Sequence, residues 1–393
     1  MKRSGLVLLS LIIFTSAQNL PANAAVKAGG ACPKAGNTSI VAGKTYTCIK
    51  NGKKLIWDKG KATTKPSVNP SSSFSSPQPV KTPAKPTSFS DLEEKSEGIP
   101  YAVWESIQSN LIQHPSTDLK INFLFGPTTP QRYPNQWTID AVTLGSRLMG
   151  AQKQPSEVKC IQYNKGDVPW ARSEAERYTP AFRLGMSLSD QAAEKCNGLD
   201  CDGAVTNIAN DIGLVLVGVA TPVNRFNIQK FNGQNDLHEY VHAVQGMVFK
   251  GKTQSPPPVQ MPCWYSEGQP QAISIPTVTK SADEYVKIRK SWITDNKWLL
   301  KDYEPETIQE FLRNNMKVPC DGSTMLMNYT LGYIVMDQLV AIGGVDKTFD
   351  VLAAISDGLK FEDAFKKSYG ISWDEAAVVL SRTASKVFKT NKK

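Results

Sequence analysis

Two hydrophobic periodicities run along this chain, and one gives way to the other near residue 234. Before that point, "KINFLFG" (120–126) and "GLVLVGVAT" (213–221) have the short, continuous apolar character of buried strands. They alternate with "YAVWESIQSNLIQ" (101–113) and "QWTIDAVTLGSRLMG" (136–150), where apolar residues recur at helical spacing. Beyond residue 234 the spacing is helical throughout, in "DLHEYVHAVQGMVF", "ADEYVKIRKSWI", "TIQEFLRNN", "YTLGYIVMDQLVAIGG", "TFDVLAAI" and "SWDEAAVVLSRTASKVF". Strands mixed with helices first and helices alone afterwards predict an α+β domain with a helical second half. Nearer the N-terminus, β-formers at 46–49 and 54–57 flank Asn51-Gly52, a dipeptide suited to the positive φ angles of a tight hairpin turn. No internal repeat is present.

Composition divides the 393 residues into four parts. Residues 1–24, "MKRSGLVLLSLIIFTSAQNLPANA", place Lys2 and Arg3 before a short apolar run and end on Ala22-Asn23-Ala24, the pattern of an export signal with its cleavage site. Residues 25–60 form a small β module holding Cys32 and Cys48, whose pairing would restrain a unit too small for much of a core. Residues 61–95 are rich in Pro, Ser, Thr and Lys and read as a disordered linker, and residues 96–393 form the main domain. No later stretch is apolar for long enough to span a bilayer, so the expectation is a secreted or cell-envelope-associated protein.

Export changes how the seven cysteines are read, because thiols outside the cytoplasm tend to pair. In the main domain five cysteines can form two bridges in fifteen ways, among which the sequence does not choose; Cys263 with Cys320 and Cys196 with Cys201 are the expected pairs, and one thiol is left unpaired or paired between chains. The net charge of +9 is confined to the front of the chain: residues 1–95 hold 14 Lys and Arg against 4 Asp and Glu, and the remainder is close to neutral. A nucleic-acid groove in the main domain is therefore not expected. The basic front end suits either association with an anionic cell envelope or a solvated tail. Nothing in the sequence sets an oligomeric state.

Candidate chemistry gathers in "NDLHEYVHAVQG" (235–246). Leu237, Val241, Val244 and Val248 make a helical stripe for the core, and His238 and His242 stand one turn apart on the neighbouring face, where both imidazoles can reach one ion. Glu239 is rotated by about 100° from His238, beside such an ion, in the position of a general base. Catalytic zinc takes three protein ligands and keeps one position open. His114, the third histidine, lies beside a proline in "IQHPSTD" and reads as a loop residue, so the expected third ligand is Glu267 in "PCWYSEGQPQAIS". Pro270, three residues later, predicts a disturbed first turn for any helix that carries Glu267.

"HEYVHAVQ" followed by "PCWYSEG" resembles the gluzincin clan of zinc metallopeptidases, and its peptidase MA-like members most of all. The likeness extends through the helical tail and covers roughly residues 200–390. It implies a zincin (thermolysin-like) domain with a mixed sheet, an active-site helix and a helical subdomain, Zn2+ on His238, His242 and Glu267, and Glu239 as base. Gln245, Pro262, Trp264 and Gly268 fall on matching scaffold positions, Gly268 allowing close approach of a neighbour. A tyrosine some sixty residues after the zinc-binding glutamate stabilises the oxyanion in aminopeptidases of the clan; Tyr329 stands there, with Tyr333 one turn on as the competing choice. The implied partner is a peptide or protein substrate. The glycine-rich exopeptidase motif of aminopeptidases is absent upstream, so endopeptidase and tripeptide-trimming activity are not ranked. The alternative from the binding class is a zincin-like scaffold without turnover, docked to the envelope by its basic front end.

Overall fold

A computed structural model describes residues 27–41, 44–62, 82–131, 133–178, 203–221, 232–252, 261–296, 302–314 and 325–391, with the short pieces 182–183 and 186–187 and the single positions 192, 196, 201 and 300. The expected signal, 1–24, lies outside the described residues. The chain divides into two compact units, Met1–Val80 and Lys81–Lys393.

In the small unit, β1 (Thr38–Val41), β2 (Lys44–Asn51), β3 (Lys54–Trp57) and β4 (Lys61–Ala62) form an antiparallel sheet in which every other strand pairs with β2. The hairpin between β2 and β3 turns at Gly52, whose φ of 61° is the left-handed conformation expected of Asn-Gly. Cys48 faces Trp57 across the strands, both are buried, and Cys48 is bonded to Cys32. The sheet extends further than the pattern predicts, since β4 takes Lys61 and Ala62 from the expected linker.

The larger unit also begins earlier than residue 96. Pro86 and Leu92 are buried, Phe89 packs edge-on against Tyr369, and Asp91 accepts the Thr87 and Ser88 amides at 3.0 Å each. Few but well-placed apolar residues in a Pro/Ser/Thr-rich stretch suffice for docking. The rest of the expected linker, 63–81, lies outside the described residues.

The fold is α+β. Strands β5 (Lys120–Phe125), β6 (Glu157–Tyr163), β10 (Ile212–Gly218) and β9 (Ala204–Ala209) form a mixed sheet in the order β5-β6-β10-β9, parallel except for the antiparallel edge strand β9. A two-residue ribbon, β7 (Phe182–Arg183) with β8 (Met186–Ser187), stands apart from it. Both central strands are buried on two faces, which explains the unbroken "LVLV" of β10. Val158, Cys160, Val215 and Val217 join the main core, whereas Ile161, Tyr163, Leu214 and Leu216 join a second cluster with the bonded pair Cys196–Cys201. Strand β6 escapes the sequence pattern because Lys159 interrupts it; in the fold Lys159 pairs with Glu157 at 2.9 Å and lies over the Tyr178 ring.

Ten helices are described: α1 (Ile99–Gln113), α2 (Asn135–Leu148), α3 (Val168–Glu176), α4 (Gln234–Phe249), α5 (Cys263–Thr277), α6 (Ala282–Asn296), α7 (Pro305–Asn314), α8 (Met325–Ser356, broken at Gly344), α9 (Phe361–Tyr369) and α10 (Trp373–Thr390). None is long and apolar enough to cross a membrane. Helix α5 is buried along its whole length and crosses α8 at two glycines. A Cβ on Gly268 would stand 2.4 Å from the Gly332 carbonyl carbon, and one on Gly332 would stand 2.3 Å from the Trp264 carbonyl oxygen. Backbone cannot give way as a side chain can. Gly268→Ala should therefore cost about 1–3 kcal/mol or more, read as a lowered thermal midpoint of the metal-free protein.

Cys263 is disulfide-bonded. Its expected partner, Cys320, lies outside the described residues. Cys160 is a buried thiol on β6.

Candidate metal centre

Helix α4 starts after Gly233, whose φ is 77° and where a Cβ would meet the Trp137 carbonyl oxygen at 2.3 Å. That close approach seats α4 against α2. Leu237, Val241 and Val244 enter the core as the periodicity predicts, with Val248 packed at its edge. The polar residues Gln234, His238 and His242, four apart, then share one face directed toward α5.

From α5, Glu267 completes a group of three. His242 Nε2 is 3.2 Å from His238 Nε2 and 3.1 Å from Glu267 Oε2, and His238 Nε2 is 3.5 Å from the same carboxylate oxygen. Tetrahedral zinc with ligands at about 2.0–2.1 Å requires neighbouring ligand atoms to lie about 3.3 Å apart. The three separations match that edge length. All three side chains are buried, with 6 %, 8 % and 7 % of the surface of His238, His242 and Glu267 exposed. Among the described residues this is the one group of three or more His, Cys, Asp or Glu whose ligand atoms lie within 4.8 Å of one another.

Hydrogen bonds on the far side of each ring decide what Nε2 presents. Thr348 Oγ1 donates to the Val345 carbonyl at 2.6 Å and so accepts from Gln269 Nε2 at 2.7 Å. Gln269 Oε1 in turn accepts from Gln245 Nε2 at 2.8 Å, which leaves Gln245 Oε1 to accept from His242 Nδ1 at 2.8 Å. The direction of every bond in this chain is set by the backbone carbonyl at its end. On the other ring, Gln271 Oε1 accepts from Gln234 Nε2 at 2.7 Å and stands 3.3 Å from His238 Nδ1. With both Nδ1 atoms carrying the proton, both Nε2 atoms present lone pairs, and they face a carboxylate oxygen. Three acceptors thus converge with no donor among them, an arrangement that a divalent cation satisfies.

Burial by itself would raise the Glu267 carboxyl, but positive charge placed at the His242 and His238 ring nitrogens, with hydrogen bonds from them, more than reverses this and holds it well below the usual carboxylate range. A cation at this point therefore keeps the carboxylate ionised.

Pro270 does not disturb α5, contrary to expectation. A proline at this position removes the hydrogen bond to the Ser266 carbonyl one turn back. Gln245 Nε2 donates to that carbonyl at 3.0 Å and replaces the missing bond. The side chain that orients His242 therefore also repairs the helix that carries Glu267.

Glu239 stands outside the three. It is buried, 7 % exposed, and its Oε2 accepts a 2.7 Å hydrogen bond from Thr206 on edge strand β9. The two candidate tyrosines separate clearly. The Tyr329 ring lies 5.6 Å from the His238 ring, whereas Tyr333 donates to the Tyr285 hydroxyl at 3.1 Å within a buried group. There Tyr285 and Arg289 each hold Asp337 at 2.6 Å. His114 caps α1, its carbonyl accepting from Arg147 at 2.8 Å, and takes no part in the group of three.

Sequence reasoning missed Thr206, Gln234, Gln269 and Gln271. The available signal was the density of amides in "EGQPQAIS": a helix buried on all sides must find partners for each of them. Compared with known proteins, the chain matches no family model, no curated protein and no solved structure.

Proposed function

We propose that this protein is an exported zinc metallopeptidase of the gluzincin type, hydrolysing peptide bonds in a peptide or protein substrate. The observation that carries the reading is the convergence of two imidazole Nε2 atoms and one carboxylate oxygen at 3.1, 3.2 and 3.5 Å, each imidazole bonded behind by an amide oxygen. Two imidazoles and a carboxylate suit zinc among the divalent ions and leave a fourth position for solvent or substrate. When bound there, zinc supplies Lewis acidity, which polarises a carbonyl and lets water act as a nucleophile near neutral pH.

The chain's own groups divide the remaining work. Glu239, steadied by Thr206 and excluded from the ligand set, takes a proton from the attacking water and returns it to the leaving amine. The Tyr329 hydroxyl, carried on the ring beside His238, donates a hydrogen bond to the carbonyl oxygen as charge develops on it. A scaffold without turnover would need the three ligands but not a buried carboxylate held beside them, so Glu239 favours the enzyme. The disulfides Cys32–Cys48 and Cys196–Cys201 support residence in an oxidising compartment.

The test is hydrolysis of a quenched peptide library by the purified chain, alongside elemental analysis. Activity should vanish with a chelator and return with zinc, and zinc content near one per chain should drop in His242→Ala and Glu267→Ala. Chelator-resistant hydrolysis, or equal metal content in the wild type and both variants, would overturn the proposal.

A further inference from the structure

The small unit has a charge distribution that a peptidase does not require. Residues 27–62 hold eight lysines and one acidic residue, Asp58. All eight lysines are exposed. Asp58 is spent internally: its Oδ1 accepts the Thr47 amide at 3.0 Å and the Gly60 amide at 2.9 Å, bonds that lower its pKa and fix its charge. Among the described residues, every ion pair belongs to the larger unit. The small unit therefore presents eight positive charges against the single negative charge of Asp58, and no ion pair is described within it.

The positions of the charges narrow the partner. Lys50, Lys53 and Lys54 surround the turn at one end of the β2–β3 hairpin. Lys44, Lys59 and Lys61 lie at the other end, where β4 pairs with the start of β2. Seven residue steps along β2 separate the ends by roughly 23 Å. That exceeds the Debye length of about 8 Å at physiological salt, so the ends act as two screened sites and a small anion can occupy only one. A flexible chain of repeating anionic groups can engage both.

Two other partners fit less well. Binding at a bilayer surface calls for charge on one side with apolar side chains that insert together. The exposed Val41 pairs with Lys44, whereas the exposed Ile49 lies five residues from Lys44 along β2 and so on the opposite face of the sheet. Single-stranded nucleic acid calls for displayed aromatic rings. Trp57 is buried, and Tyr46 is packed so closely against Gly60 that a Cβ there would touch its ring at 2.8 Å. The charges are all lysine, compact hydrated point charges suited to diffuse phosphate neutralisation and not to bidentate recognition.

We propose that the small unit docks the protein to a flexible phosphate-bearing polymer that lacks stacking bases, with both ends of the hairpin engaged at once. This does not rest on the peptidase reading.

The experiment uses the full mature chain and long-chain inorganic polyphosphate as the probe, with affinity measured over a series of salt concentrations. Binding should be much tighter than to triphosphate. The triple variants Lys50→Gln/Lys53→Gln/Lys54→Gln and Lys44→Gln/Lys59→Gln/Lys61→Gln should each reduce the slope of log affinity against log salt by about 2, at roughly 0.7 per lysine, while the matching Lys→Arg triples keep it. Three results would overturn the proposal: wild-type affinity and slope in both Gln triples, equal affinity for triphosphate and polyphosphate, or tighter binding to anionic vesicles or to a single-stranded RNA homopolymer at equal charge concentration.

Discussion

Glu239→Gln should purify with the wild-type zinc content and hydrolyse peptides about 10²–10⁴-fold more slowly. The substitution keeps shape and leaves the Thr206 hydroxyl an amide oxygen to bond, so the wall of the site stays in place. The group of three that would hold the ion does not include Glu239, so metal content has no reason to change. What disappears is a carboxylate able to accept a proton. Stoichiometric zinc together with wild-type kcat/KM would show that Glu239 is not the base.

Gln245→Leu should weaken zinc binding by about 10–100-fold and destabilise the metal-free protein by about 1–3 kcal/mol for each buried group left without a partner. Leucine fills the volume but strands three partners at once: the His242 Nδ1 proton, the Ser266 carbonyl that Pro270 leaves open, and the Gln269 amide oxygen. Competition with a chelating dye reads the first effect, and thermal unfolding after chelation reads the second. A variant with a lowered midpoint and unchanged zinc affinity would confine Gln245 to helix repair. Both changes together would place one side chain in the service of ligand and helix alike.

Much of the candidate site was legible because its parts are local. His238, Glu239 and His242 lie within a single stretch of helix, and the 3.6-residue repeat places them relative to one another before any tertiary contact exists. Glu267 could be named because an apolar stretch soon after the histidines contained one carboxylate. Tyr329 could not be separated from Tyr333 in this way, since residues one turn apart on a helix share a face. Their roles diverge only through what stands opposite: the His238 ring for Tyr329, and Tyr285, beside Asp337 and Arg289, for Tyr333. Pro270 shows the reverse case, a local rule that predicts disturbance and is overridden by a glutamine 25 residues away in the chain.

The sequence by itself determined the class of the fold, the hairpin of the small unit, the core stripe of α4 and the pair of histidines beside it, because each depends on repeats and turn chemistry that a few consecutive residues carry. Strand β6, the early start of the larger unit at its buried Pro86 and Leu92, and the amide chain from Thr348 to His242 were decided only by tertiary structure. Partners far apart in sequence leave no periodic trace, and a buried hydrogen bond takes its direction from whichever fixed carbonyl ends the chain.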